Sequence, residues 1–167
     1  MGAYSPAPVI TTDVEKKIIS KIIQPTLKAL KKKKNSYKGF LYVGLMIKNK
    51  EPYLIEYNIR MGDPECQVIL PRLKTDIIKI FKNTIANKLN KTKISWTNKK
   101  SMTIVLCAKG YPGKYRKNSK IVNIDKIKTS KSDYVYHAGT KLFKNEIRSN
   151  GGRVLNITST GNNYLKI

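Results

Sequence analysis

The sequence predicts an α+β chain: an antiparallel hairpin with packed helices, followed by a small β-rich domain. Three observations carry this expectation. Apolar residues recur at helical spacing in two windows, 14–30 and 77–89. Two strand-like runs, 38–47 and 53–59, flank a short polar turn. Beyond residue 100 the helical periodicity gives way to short strands separated by turn residues. The polar stretch 90–100 marks that change, so the expected division is 1–92 and 93–167.

Residues 2–8 contain two prolines and small residues and are expected to form an extended loop. Thr12 stands three residues before Glu15, the spacing of a capping box, and Val14, Ile18, Ile19, Ile22, Ile23, Leu27 and Leu30 recur at helical intervals. Pro25 lacks a backbone donor and is expected to kink this helix. The lysine run 31–34 suits the negative end of the helix dipole better than it suits an anion site. In the second strand, alternation sets Leu54, Glu56, Asn58 and Arg60 on one face and Tyr53, Ile55, Tyr57 and Ile59 on the other. Gly62 and Pro64 then force a turn. A second amphipathic helix is expected over 75–89, capped by Thr75 or Asp76, and Trp96 suggests that part of the polar stretch packs down. Later strands are expected at 102–108, 120–124, 134–138, 146–148 and 153–158, with turns at Tyr111-Pro112-Gly113 and Asn150-Gly151-Gly152. No internal repeat is visible.

The formal net charge of +24 taken alone suggests a nucleic-acid partner. Lysine supplies 29 of the 34 basic residues, beside 21 isoleucines and 14 asparagines, a usage that AT-rich coding favours. The basic residues are spread along the chain without the aromatic interleaving of RNA-binding surfaces, so no specific nucleic-acid partner is expected. No apolar run approaches the roughly 18 residues that span a bilayer, and no membrane partner is expected. The first thirteen residues contain no basic residue, unlike a secretory signal, and Cys66 and Cys107 lack staple or metal-site spacing. Reduced thiols in the cytoplasm are the expectation. Cys107, within an apolar strand, reads as core.

Glu56 and Asn58 offer a carboxylate and an amide carbonyl one pleat apart. Both are hard oxygens of the kind magnesium prefers. Because that ion takes about six oxygens and keeps waters, two protein ligands suffice where ATP phosphates supply others. Arg60 on the same face could hold a transferring phosphate. Spacing alone fits an edge strand with polar residues facing water equally well.

The run Ile55-Glu56-Tyr57-Asn58-Ile59-Arg60-Met61-Gly62-Asp63-Pro64-Glu65 resembles the E-x-N-x-R-x-G-D-P-E signature of glycinamide ribonucleotide synthetases, the phosphoribosylamine-glycine ligases of the ATP-grasp superfamily. Further stretches resemble the same family in the same order: Gly2-Ala3-Tyr4-Ser5-Pro6-Ala7-Pro8, Gly39-Phe40-Leu41-Tyr42-Val43-Gly44-Leu45-Met46, Gly110-Tyr111-Pro112-Gly113, His137-Ala138-Gly139-Thr140-Lys141-Leu142 and Asn150-Gly151-Gly152-Arg153-Val154-Leu155. The resemblance implies the C-terminal lobe of an ATP-grasp fold followed by the small β-rich domain. It implies ATP-dependent joining of glycine to 5-phosphoribosylamine through a glycyl phosphate, in purine (IMP) synthesis. It also implies Mg2+ or Mn2+ on Glu56 and Asn58, beside which Arg60 is the candidate catalytic, nucleotide-phosphate-binding residue on its chemistry. The loop of Gly62, Asp63, Pro64 and Glu65 would lie near the substrates.

His137 is the single histidine; a structural hydrogen bond suits it better than metal ligation. Its H-A-G-T match implies a substrate-facing loop in which Gly139 and Thr140 donate to phosphate or carboxylate and Lys141 adds charge. Arg153 reads equally as a phosphate contact or as surface charge. Cys66 stands where the family commonly has threonine.

The family's N-terminal domain and the lobe carrying the adenine pocket and phosphate-binding lysine have no counterpart in the sequence. The missing N-terminal half is expected in cis or in trans, and the isolated chain is expected to be inactive. After Thr160-Gly161, where the family usually continues in an alanine-rich helix, the sequence runs only to Ile167. The rivals are another ATP-grasp carboxylate-amine ligase, which would share the metal pair but not G-D-P-E and H-A-G-T, and a basic nucleic-acid-binding module supported by charge alone. A nonfunctional gene remnant would carry the same motifs.

Overall fold

The computed structural model describes residues 1–127 and 130–167. In chain order the elements are strand β1 (Gly2–Ser5), helices α1 (Thr12–Ile18) and α2 (Gln24–Lys32), strands β2 (Tyr42–Lys48) and β3 (Glu51–Asn58), helices α3 (Cys66–Ile69) and α4 (Ile77–Ile85), and strands β4 (Lys100–Cys107), β5 (Asp133–His137), β6 (Thr140–Phe143), β7 (Glu146–Ser149) and β8 (Arg153–Gly161). Helices beside antiparallel sheets make this the expected α+β chain. Its residues group into two compact units, one of 1–5, 63–72 and 97–167, the other of 6–62 and 73–96. The units interleave along the chain because β1 and the segment around α3 belong with the later sheet. Among the described residues no helix is long and apolar enough to cross a membrane.

The unit of the later sheet has strand order β1-β4-β8-β5, antiparallel throughout. The opening segment, expected as a loop, pairs from Gly2↔Ile104 to Ser5↔Ser101 as an edge strand, and its first proline comes only after the last pair. Helix α3 packs against β1, β4 and β8. Four residues are too few to leave a periodic signal, which is why the sequence did not announce it. On these strands Ser101, Thr103, Val105, Asn156 and Thr158 are all buried, with Thr158 Oγ1 donating to Thr103 Oγ1 at 2.7 Å. Val68 of α3 is 2% exposed. Val68→Ala is therefore expected to lower the thermal stability of this unit by about 1.5–3 kcal/mol, read by denaturant melts.

The strand expected at 120–124 reduces to an isolated bridge, Lys120↔Arg148, against the β6–β7 hairpin. Cys107, expected in the core, is exposed: the register shifts between Leu106 and Cys107, and that irregularity ends the burial alternation of β4.

In the other unit, α1 is capped by Thr11, not Thr12, with Val14 N donating to Thr11 Oγ1 at 3.4 Å. A π-helical segment, Ile19–Ile23, joins α1 to α2, so Pro25 falls in the first turn of α2, directly after that wider turn. Val14, Ile18 and Ile22 are buried, whereas Ile19 and Leu27 are exposed, a narrower stripe than the periodicity suggested. Helix α1 contacts β3, and the Tyr57 hydroxyl meets Thr26 Oγ1 at 2.5 Å.

The β2–β3 turn is only Asn49-Lys50, with φ of 52° and 61°, the left-handed pair of a type I′ hairpin turn. Helix α4 is capped by Asp76, which accepts from Ile78 N at 2.8 Å, and ends at Ile85, short of Leu89. Asn87, at φ 56°, turns the chain there. Thr75 instead accepts from Ser95 N at 2.8 Å, and Leu73 bridges Trp96, so part of the polar stretch does pack down.

Glu51 at the hairpin tip pairs with Lys17 and Lys21. Hydrogen bonds first from Lys17 and then from Lys21 hold its carboxyl below the ordinary glutamate value. A carboxyl depressed by folding adds stability that is present above its unfolded value, about pH 4.3, and lost as pH falls through the folded one. In low salt the wild type should lose stability through that acid window more steeply than Glu51→Gln, as followed by thermal melts against pH.

Candidate functional site

Within the hairpin, Tyr42 pairs with Asn58 and Gly44 with Glu56; the register then shifts so that Leu45 faces Leu54, leaving Ile55 as an extra residue. The bulge lies just before Glu56, so alternation runs uninterrupted from Glu56 to Asn58. The two side chains share a face and touch: Asn58 Nδ2 donates to Glu56 Oε1 at 2.9 Å. Glu56 is exposed and Asn58 half-buried. The bond engages one carboxylate oxygen and the amide nitrogen, and the other carboxylate oxygen and the amide oxygen are no part of it. Leu54, expected on the same face, lies across the bulge, where period-two counting fails. Arg60 lies beyond β3, and its Nη1 donates to the Met61 carbonyl at 2.9 Å.

Among the described residues no group of three or more His, Cys, Asp or Glu side chains could hold a metal ion. The Glu56–Asn58 pair offers hard oxygens only, which suits Mg2+ or Mn2+ provided that water and phosphate complete the shell.

The signature crosses from one compact unit to the other between Gly62 and Asp63. Gly62 and Pro64 are buried and Asp63 is exposed. Arg153 on β8 holds Asp63 twice, with Nη1 donating to the carbonyl at 2.6 Å and pairing with the carboxylate at 3.0 Å. Gln67 Nε2 donates to the other carboxylate oxygen at 3.0 Å. The Pro64 and Glu65 carbonyls accept from Gln67 N and Val68 N and start α3. Arg153 Nε also donates to the Tyr111 hydroxyl at 3.0 Å. The Tyr111 ring lies where a side chain at Gly152 would sit.

Gly139 joins the same cluster. Its N–H donates to the Arg153 carbonyl at 2.8 Å, and its own carbonyl accepts from Asn150 N at 2.7 Å and Gly151 N at 3.1 Å. The amide expected to donate to an anion is therefore spent inside the protein. His137 Nδ1 meets Thr140 Oγ1 at 3.0 Å, the hydrogen bond expected of a structural histidine. Lys141 projects near the Phe143 ring, 5.8 Å from its centroid.

Four motifs separated in sequence, G-D-P-E, Y-P-G, H-A-G-T and N-G-G-R, thus meet around Arg153. The sequence left that arginine undecided between phosphate and solvent and gave Tyr111 no role beyond its turn. The available signal was an arginine directly after two glycines. A separate cleft of about 470 Å³ in this unit, lined by Leu106, Val154, Leu155, Lys109, Arg116 and Lys120 among others, contains none of the candidate residues.

Comparison with known proteins bears on the same segments. A family model described as phosphoribosylglycinamide synthetase, ATP-grasp (A) domain, matches residues 1–66, and the C domain of the same synthetase matches residues 101–166. A phosphoribosylamine-glycine ligase of Agrobacterium fabrum is 45% identical over 163 residues, covering 98% of this chain and 38% of that relative. One of Vigna unguiculata is 41% identical, covering 97% of this chain and 53% of the relative. The crystal structure of the Thermotoga maritima phosphoribosylamine-glycine ligase superposes with a TM-score of 0.79 at 30% identity, over 99% of this chain and 40% of that one. The chain thus spans about two fifths of the length of most such relatives.

Proposed function

Since the chain belongs to the phosphoribosylglycinamide synthetase family, we propose that it forms the part of a phosphoribosylamine-glycine ligase that carries the divalent-cation pair and the C domain. The observation that carries this reading is the contact between Glu56 and Asn58 on one face of β3, within the family's acidic signature.

The reaction is ATP-dependent amide formation in de novo purine (IMP) synthesis, in the cytoplasm. A glycine carboxylate oxygen bonds to the γ-phosphorus of ATP as the bond to the bridging oxygen breaks and ADP leaves. The amine of 5-phosphoribosylamine then attacks the acyl carbon of glycyl phosphate; the bond to phosphate breaks and the nitrogen gives up a proton. Glu56 and Asn58 would hold Mg2+ or Mn2+, which screens phosphate charge and fixes the line of attack.

Arg60, once turned from the Met61 carbonyl, places a guanidinium against the γ-phosphate oxygens. Gly62, Asp63, Pro64 and Glu65 form a turn of set shape that orients glycine and the ribosylamine, with Asp63 acting through its grip on Arg153. His137 fixes the Thr140 hydroxyl, and Thr140 and Lys141 meet an anionic group of the substrate, while Gly139 sets the turn that presents them. The remainder of the enzyme, in cis or in trans, supplies the adenine pocket. Exposed Ile55 and Ile59, 63% and 77% accessible, fit burial by that remainder. The boundary between 92 and 93 falls in the interval that neither domain model matches.

Co-expression with the N-terminal portion of the Agrobacterium relative provides the test, with ADP release measured as a function of both glycine and phosphoribosylamine. Activity dependent on both substrates and lost in Glu56→Ala is expected. A stable complex whose activity is indifferent to Glu56→Ala would refute the assignment.

A further inference from the structure

We propose that Gly44 is a positioning residue for Glu56: by having no side chain, it lets the carboxylate lie across the neighbouring strand and reach Asn58, so that both oxygens can serve one divalent cation. This rests on the reading of Glu56 and Asn58 as cation ligands. Gly44 is the cross-strand partner of Glu56, and Tyr42 is that of Asn58. A Cβ at position 44 would stand 2.9 Å from Glu56 Cγ, closer than non-bonded carbons approach, and 3.5 Å from the Tyr42 ring. The Tyr42 ring closes one escape, and the Glu56 carbonyl, 3.6 Å from the same point, closes another. Cγ is only two bonds from the backbone, so relief requires rotating the whole Glu56 side chain, which breaks its 2.9 Å bond to Asn58.

The bulge supports the same conclusion. Continuing the Leu45↔Leu54 register without the extra residue would set Ile55 opposite Gly44; the bulge sets Glu56 there instead. A β-bulge beside a functional side chain commonly re-aims it, and here it aims a carboxylate at the one position in Tyr42-Val43-Gly44-Leu45 that has no Cβ.

Groups that orient metal ligands typically change affinity by roughly 10–100-fold when altered, and that is the loss expected for Gly44→Ala. The test uses the ¹⁵N-labelled full chain, alone for the metal-free spectra and joined to the N-terminal portion of the Agrobacterium relative where ATP is added. Without metal, the Asn58 side-chain amide resonance should move in Glu56→Gln and also in Gly44→Ala, with the remaining spectrum preserved. With ATP and Mn2+, paramagnetic broadening around residues 56–58 should require roughly 10–100-fold more Mn2+ in Gly44→Ala.

An unmoved Asn58 resonance together with unchanged Mn2+ dependence in Gly44→Ala overturns the proposal. Wild-type chain that shows no broadening near β3 overturns the cation reading and this assignment with it; an Asn58 resonance that still responds to Gly44→Ala would show that the fault lies with the cation, not the geometry. If Gly44→Ala fails to fold, the wild type still decides: a strong nuclear Overhauser effect between the Gly44 α-protons and Glu56 γ-protons is expected, and its absence overturns the packing.

Discussion

Glu56→Ala should weaken divalent-dependent nucleotide binding on the order of 100-fold or more while leaving the chain folded. Glu56 is exposed, and its carboxylate is bonded to Asn58, so little packing is lost with it. What disappears is the negative charge. The amide oxygen of Asn58 alone is a neutral ligand competing with water, and Mg2+ gives up water reluctantly. Glu56→Gln separates charge from shape: it preserves length and hydrogen bonding yet should lose nearly as much binding. Calorimetric titration with ATP and Mg2+ of the chain joined to the N-terminal portion of the Agrobacterium relative, beside a thermal melt of each variant, checks both halves of the expectation. A variant that melts normally and binds normally would show that this strand face is merely solvated.

The second large effect is expected at Gly139. A Cβ there would lie 2.5 Å from the Arg153 carbonyl oxygen, 2.6 Å from Gly151 Cα and 2.8 Å from Gly151 N. All three are backbone atoms, so no rotamer change relieves the clash, and the β5–β6 corner must part from the start of β8. Gly139→Ala should then cost the upper end of roughly 1–3 kcal/mol or more. The displaced Arg153 would also loosen its hold on Asp63 and Tyr111, so hydrogen exchange should rise at residues 63–67 as well as at 137–141. Exchange confined to 137–141 would show that the motifs are neighbours without being coupled.

Much of this was legible in the sequence where chemistry and period agree. Glu56 and Asn58 share a face because alternation between them is uninterrupted. Asp76 caps its helix as its side chain predicts. The losses have physical causes. Period-two counting could not foresee the extra residue at Ile55, so Leu54 was assigned to a face that it reaches only without a bulge. Cys107 looked like core for the same reason, since a register shift ends the alternation just before it. The edge strand at residues 2–5 was hidden by the prolines that follow, although its pairing ends before them. Least legible was the convergence on Arg153: Asp63 lies 90 residues away in sequence, and no local pattern records a contact of that range.

Electron paramagnetic resonance of Mn2+ titrated with ATP into the chain joined to the N-terminal portion of the Agrobacterium relative tests the central claim most directly. A Mn2+ site that depends on nucleotide, and that disappears when Glu56 and Asn58 are both replaced by alanine, is the expected result. Equal Mn2+ uptake by the wild type and by that double variant would mean that the cation binds elsewhere, and that this face of β3 holds no phosphate-bridging ion.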